Sequence, residues 1–165
     1  GNVTSQKGGA LAFSGAISSM MVANNTFVDN QSAQQGAAIF GEATDATGLS
    51  IWSNIFYAND GNYALYLMDG SVASVGYNSA FLTTSVVPWY FDASGDAGEN
   101  REEDPNFTTF SNDGDPSNDD LTLSTGSPMI DAGPPNGTPS WYSVWEDVDG
   151  TANDRGHMGG QGAAQ

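Results

Sequence analysis

Apolar residues arrive along this chain in short runs opened by a small residue: Ala10-Leu11-Ala12-Phe13, Ala37-Ala38-Ile39-Phe40 and Ala64-Leu65-Tyr66-Leu67. The opening alanines stand 27 residues apart both times. Between the runs the motif Asn-x-Phe-x-x-Asn occurs as Asn25-Thr26-Phe27-Val28-Asp29-Asn30 and as Asn54-Ile55-Phe56-Tyr57-Ala58-Asn59. Asn78-Ser79-Ala80-Phe81 is a degraded third copy. Self-similarity at a fixed period of about 20–50 residues marks a solenoid.

Each repeat reads as three short strands separated by Gly, Asn and Asp. The first set is 9–13, 19–22 and 26–28, the second 36–41, 49–52 and 55–57, the third 64–68, 71–75 and 80–82. Period-2 alternation points Leu11, Phe13, Ile39, Leu65 and Leu67 inward. The pattern predicts an all-β, right-handed parallel β-helix of about three coils, each face stacked on the same face below. An antiparallel sandwich also uses evenly spaced short strands. It does not require the same residue types at the same phase, so the solenoid is preferred. Asn25, Asn54 and Asn78 are expected to form a corner ladder of side-chain amides, as turn residues that tolerate left-handed backbone angles. Phe27 and Phe56 are expected to stack in the core.

Three regions follow: coils over 1–91, an acidic loop or irregular last coil over 92–120, and a last strand with a C-terminal cap and glycine-rich tail over 121–165. Ten of the twenty acidic residues fall in 92–120, beside Gly, Pro and few aliphatics. Leu121 and Leu123 mark the last strand, and the end from 159 on reads as frayed.

Charge then narrows the partners. Lys and Arg total three against twenty Asp and Glu, for a net charge of −17. Such a surface repels nucleic acid and anionic membranes and favours divalent cations. No stretch approaches the roughly 18 apolar residues of a membrane span. With no cysteine, disulfides and thiol catalysis are excluded, and His157 is the only imidazole available to a zinc site. Because Gly9 already opens a repeat and no signal peptide precedes it, the chain reads as part of a longer protein.

The C-terminal third carries a resemblance. Asp104-Pro105-Asn106-Phe107, Leu121-Thr122-Leu123, Ser127-Pro128-Met129-Ile130-Asp131-Ala132-Gly133, Asp147-Val148-Asp149-Gly150, Asn153-Asp154-Arg155-Gly156 and Gly159-Gly160 occur in that order. This resembles the C-terminal part of secreted bacterial right-handed parallel β-helix repeat proteins of the pectate-lyase-like superfamily. His157-Met158 departs from the small residue and aromatic usual there. The resemblance implies a β-helix whose tail closes the end of the coil, and a secreted or surface-attached habit. It implies no single activity, because the superfamily mixes lyases, hydrolases, adhesins and proteins without known chemistry.

The residues themselves give chemistry little support. A lyase needs a base and cationic help, yet Lys7, Arg101 and Arg155 are widely separated, and Arg155 reads as paired with a nearby Asp. A glycoside hydrolase needs carboxylates about 5–10 Å apart. The repeats offer only Asp29, Glu42, Asp45, Asp60 and Asp69, which read as turn residues. Asp119 and Asp120 are adjacent, so on a strand they face opposite ways. His157 sits in a glycine-rich tail. No catalytic or cofactor-binding residue is therefore named.

Oxygen-ligand spacing offers a Ca²⁺ candidate at Asp147, Asp149, Thr151, Asn153 and Asp154, although the bidentate Glu of a calcium loop is missing. The stretch 113–120 is a weaker one. Trp141, Tyr142 and Trp145, with Trp52 and Trp89, offer aromatic surface for sugar stacking, against a role in covering the open end of the coil. The sequons at Asn2, Asn24, Asn30, Asn106 and Asn136 matter only in a glycosylating host.

The sequence thus leads to a non-enzymatic extracellular or cell-surface module, structural or adhesive. The alternative is a carbohydrate-binding or polysaccharide-processing β-helix. An unpaired strand edge at the N-terminal end is expected to meet another polypeptide, the remainder of its own chain, or a second copy end to end.

Overall fold

The computed structural model describes residues 1–45, 47–68, 74–83, 87–91, 96–135 and 151–158. Its regular structure is all-β, in parallel sheets of stacked strands. Sheet I stacks β2 (Leu11–Ala16), β6 (Ile39–Asp45), β10 (Leu65–Leu67) and β13 (Trp89–Tyr90). Sheet II stacks β3 (Met20–Ala23), β7 (Leu49–Trp52), β11 (Ser74–Gly76) and β14 (Asp96–Gly98). Sheet III stacks β4 (Thr26–Val28), β8 (Ile55–Tyr57) and β12 (Ser79–Phe81). Sheet IV stacks β1 (Val3–Thr4), β5 (Gln31–Gln35) and β9 (Asp60–Asn62). From β2 the chain visits sheets I, II, III and IV in that order twice, then sheets I, II and III, and among the described residues β13 and β14 return it to sheets I and II, so each pass forms a tier on the last. All pairings within these sheets are parallel.

Sheet IV is absent from the three-strand reading of each repeat. The strict 27-residue spacing is not the spacing of the tiers either. Leu11 aligns with Ile39 and Ile39 with Leu65, while the paired corner asparagines are 29 and then 24 residues apart. The connections absorb the difference. Residues 96–101, expected to lie in an acidic loop or an irregular last coil, add β14 to sheet II and a parallel bridge from Arg101 to Ser79 in sheet III.

The inward alternation holds. Ile39, Leu65, Leu67, Ile51, Leu49, Val75 and Phe56 are fully buried between sheets I, II and III, with Leu11 and Phe13 packed against them at the first tier. Phe27 stacks on Phe56 at 5.1 Å, with the rings 9° from parallel. Gly41 lies opposite Phe13 because a Cβ there would come within 2.5 Å of the ring.

A second core lies outside sheet III. Ile55, Tyr57 and Met129 are buried there, with Val28, Phe81, Phe107, Phe110 and Leu123 against them. Tyr57 meets Phe107 and Phe110 edge-on at 5.1 and 4.8 Å. Phe107 and Leu123 come from an antiparallel pair, β15 (Phe107–Thr109) and β16 (Asp120–Leu123). The described part of the C-terminal segment lies along the flank of sheet III, because Val28, Tyr57 and Phe81 present an outward apolar column that must be covered.

Candidate functional site

The corners that enter and leave sheet III are the most regular chemistry in the molecule. At the entry corner Asn25 donates its backbone and side-chain N–H groups to Asn54 Oδ1 (3.0 and 3.1 Å), and Asn54 donates likewise to Asn78 Oδ1 (3.0 Å each). Asn78 continues to Asn100 Oδ1 (3.1 and 3.0 Å), a rung the sequence reading missed. The second amide proton of Asn54 goes to Val22 O and that of Asn78 to Ile51 O. At the exit corner Asn2, Asn30 and Asn59 repeat the pattern. These asparagines are therefore committed to the backbone, and a glycan on Asn2 or Asn30 would remove a rung.

The left-handed backbone was expected at the ladder asparagines and is found one residue earlier. Asn24, Ser53, Tyr77 and Glu99 have φ between 53° and 60° at the entry corner, and Asp29, Ala58 and Leu82 between 51° and 53° at the exit. That bend aims the following amide into the corner, where it reaches both the next rung and the strand behind it.

The three basic side chains do not converge. Lys7 Nζ stands 4.5 Å from the centroid of Phe40. Arg101 pairs with Glu99 at 2.7 Å and Glu103 at 3.8 Å. Arg155 is fully buried. Its guanidinium donates to Ala132 O and Asn78 O and lies 5.8 Å from the Tyr77 ring. Burial, with the nearby Arg101 charge, lowers its pKa to about 10. The expected Arg155–Asp pair is not what holds it, since Asp154 instead accepts the Asp131 N–H at 2.8 Å.

His157 belongs to a docked segment. Arg155, Gly156 and His157 run across the entry corners in order: Arg155 on Asn78 O, Gly156 N–H on Ser53 O at 2.7 Å, His157 N–H on Thr26 Oγ1 at 3.1 Å. Three consecutive residues thus bind three tiers. The Thr26 hydroxyl lies 2.9 Å from His157 Nδ1, and partial burial lowers the imidazole pKa. Contacts across 131 residues leave no local signal in the sequence.

Carboxylates serve the turns around them. Asp45 holds Thr47, Asp60 accepts Gln31 Nε2 at 2.7 Å, and Asp29 lies 3.9 Å from the terminal amine. In the weaker calcium stretch, Asp113 accepts from Asp115 N and Asn118 Nδ2, and Asp115 caps the 3-10 turn Pro116–Asn118. Asp119 takes Ser111, and Asp120 takes Thr122. Hydrogen bonds of this kind lower the pKa of Asp45, Asp113, Asp115 and Asp120.

Among the described residues no three His, Asp or Glu side chains gather where a metal could bind. Of the main Ca²⁺ candidate, Asp147 and Asp149 lie outside the described residues, as do Asp69, Trp141, Tyr142 and Trp145. Thr151 is exposed, whereas Asn153 and Asp154 are buried against residues 131–133. Trp52 is buried, stacks on Tyr77 and donates Nε1–H to Ser74, and Trp89 is partly buried against the inner core.

A concavity lies under the first tier of sheet III. It measures about 400 Å³ and is bordered by β4, the first two residues, and the loop between β15 and β16. Compared with protein-family models, curated proteins and solved structures, the chain matches none.

Proposed function

We propose that the chain is a right-handed parallel β-helix of about three coils, serving as a structural or adhesive module outside the cell. The observation that carries this reading is the commitment of its polar side chains to architecture. Asparagines bind successive tiers, and carboxylates fix turns. Arg155 and His157 fasten the C-terminal segment to the flank. What remains for contact is the outside of the stack and its ends. The tail resemblance supports the extracellular setting, and the charge of −17 suits a solvated surface better than a polyanionic partner.

Carbohydrate binding is the second reading, favoured by an aromatic column outside sheet I. Phe40, Tyr66 and Tyr90 stack at 5.8 and 4.8 Å, with Tyr63 tilted against the two tyrosines. Because the rings cover one another's faces, the column offers edges and hydroxyls rather than a flat platform. A panel of soluble polysaccharides, assayed for both binding and depolymerisation, separates the readings. The structural module is expected to release no product. Turnover abolished by a single carboxylate substitution would overturn it, and saturable binding lost in Tyr66→Ala would favour the second reading.

A further inference from the structure

We propose that Tyr63 and Tyr90 are a cross-linking site, joined ring to ring as dityrosine by a peroxidase-type one-electron oxidant supplied with hydrogen peroxide. The link would fasten two tiers of the stack covalently in a chain that has no cysteine. This goes beyond both roles discussed above and rests on neither.

Three phenols converge on the outer face of sheet I. Tyr66 and Tyr90 are register partners and stack at 4.8 Å. Tyr63 lies against both, its centroid 5.4 Å from that of Tyr66 and 5.6 Å from that of Tyr90, with tilts of 47° and 52°. It is placed there by a backbone φ of 61°, a left-handed angle unfavourable for any residue with a β-carbon. All three side chains are half-buried, so each remains in reach of an oxidant from solvent. Of the other described tyrosines, Tyr57 packs edge-on against Phe107 and Phe110, and Tyr77 stacks on Trp52.

Each phenol gives one electron to the oxidant and its hydroxyl proton to water, leaving a phenoxyl radical with unpaired spin on the carbons beside the oxygen. Two such radicals form one carbon–carbon bond between these ortho carbons. Both ortho C–H bonds then break and their protons return to the oxygens, which restores the rings and the hydroxyls. The tyrosines have then lost two electrons and two protons, and one hydrogen peroxide takes up all four to become two waters.

The product selects the pair. Linked rings meet edge to edge, so their β-carbons must stand further apart than the strand spacing of about 4.8 Å at which register partners lie. That rules out the stacked Tyr66–Tyr90 pair. Tyr63 lies three residues before Tyr66, the register partner of Tyr90, and its tilted ring spans the diagonal. Bonding Tyr63 to Tyr66 would turn Tyr66 out of two stacks, on Phe40 and on Tyr90. Bonding Tyr63 to Tyr90 leaves the Phe40–Tyr66 stack in place. Coupling between copies is opposed by the charge of −17 that each carries.

The test treats the folded protein with a catalytic amount of a haem peroxidase and hydrogen peroxide added in steps. The monomer should gain dityrosine fluorescence and lose the mass of two hydrogens. Cleavage before Asp69 separates Tyr63 from Tyr90 in sequence, so the link should join the two resulting peptides. Tyr63→Phe and Tyr90→Phe should each abolish the product, whereas Tyr66→Phe, which keeps the stack, should retain it. Because the link constrains the unfolded chain, the urea midpoint of the cross-linked monomer should rise. Oxidation in urea, where the fold no longer holds the rings together, should lose the preference for this pair. A product dominated by dimers, a link that persists in Tyr63→Phe or vanishes in Tyr66→Phe, or oxidation of the folded protein without dityrosine would each overturn the proposal. So would an equal yield of the same link in urea.

Discussion

Asn54 joins three tiers through one side chain: Asn25 below, Asn78 above and Val22 O behind. Asn54→Ala leaves the backbone N–H of Asn25 and the carbonyl of Val22 without these partners, while Asn25 Nδ2 keeps Ala23 O. At about 1–3 kcal/mol for each buried group stranded, a loss of roughly 2–5 kcal/mol is expected in urea unfolding. Asn54→Asp keeps the acceptor but places a charge opposite two oxygens. Burial raises that carboxyl's pKa in the folded state, so the deficit grows as pH rises through the folded value and shrinks below about pH 4, where both states are protonated. A neutral-pH stability equal to wild type would sink the ladder's role. The exit corner offers the opposite change: Leu82 holds φ 51° with its side chain 59% exposed. Leu82→Asn relieves the left-handed strain at little cost in burial, and the urea midpoint should rise by the equivalent of about 0.5–1 kcal/mol.

At the scale of elements, the segment 153–158 is held by point contacts, which makes it separable from the tiers. Gly156 has φ 79°, and a Cβ there would lie 2.6 Å from Ile55 Cδ1 and 2.7 Å from Thr26 Oγ1. Gly156→Ala should therefore undock the segment, seen as faster exchange of its amides while those of β7 and β8 stay protected. Acid should do the same. His157 has a pKa below its ordinary value because of burial. Its contribution is complete above about pH 6.5 and is lost as pH falls through the lowered value, and His157→Gln should remove that acid-side loss in melts between pH 8 and 5.

The elements were unequally legible. Sheets I, II and III showed in the sequence because each tier puts Leu, Ile, Val or Phe inward at period 2. Sheet IV, built from segments such as Gln31–Gln35 and Asp60–Asn62, carries no comparable apolar period. The Asn25–Asn54–Asn78 ladder was readable from spacing. Its Asn100 rung was hidden in an acidic stretch, and the Thr26–His157 contact had no signal short of the fold.

At the scale of the whole molecule, charge sets the balance against which these contacts work. Twenty carboxylates face three basic side chains, and of the latter Arg155 is buried and Arg101 already shared by two glutamates. Most acidic groups among the described residues sit on the surface, where repulsion between turns and along the flank acts through water and is open to screening. Raising NaCl from about 20 mM to about 500 mM shortens the Debye length from about 20 Å to about 4 Å. The melting temperature should rise across that range, by about 2–4 °C for each kcal/mol of repulsion removed. The few exposed ion pairs lose little in return, since each is worth about 0–1 kcal/mol. A flat or falling curve would show that the fold does not carry this repulsion. Calcium and magnesium chloride at equal ionic strength complete the experiment, because screening treats them alike. A rise with calcium beyond magnesium, erased by replacing Asp147 and Asp149 together with Asn, is the signature of the 147–154 loop binding the ion. Equal curves assign the whole effect to the surface field.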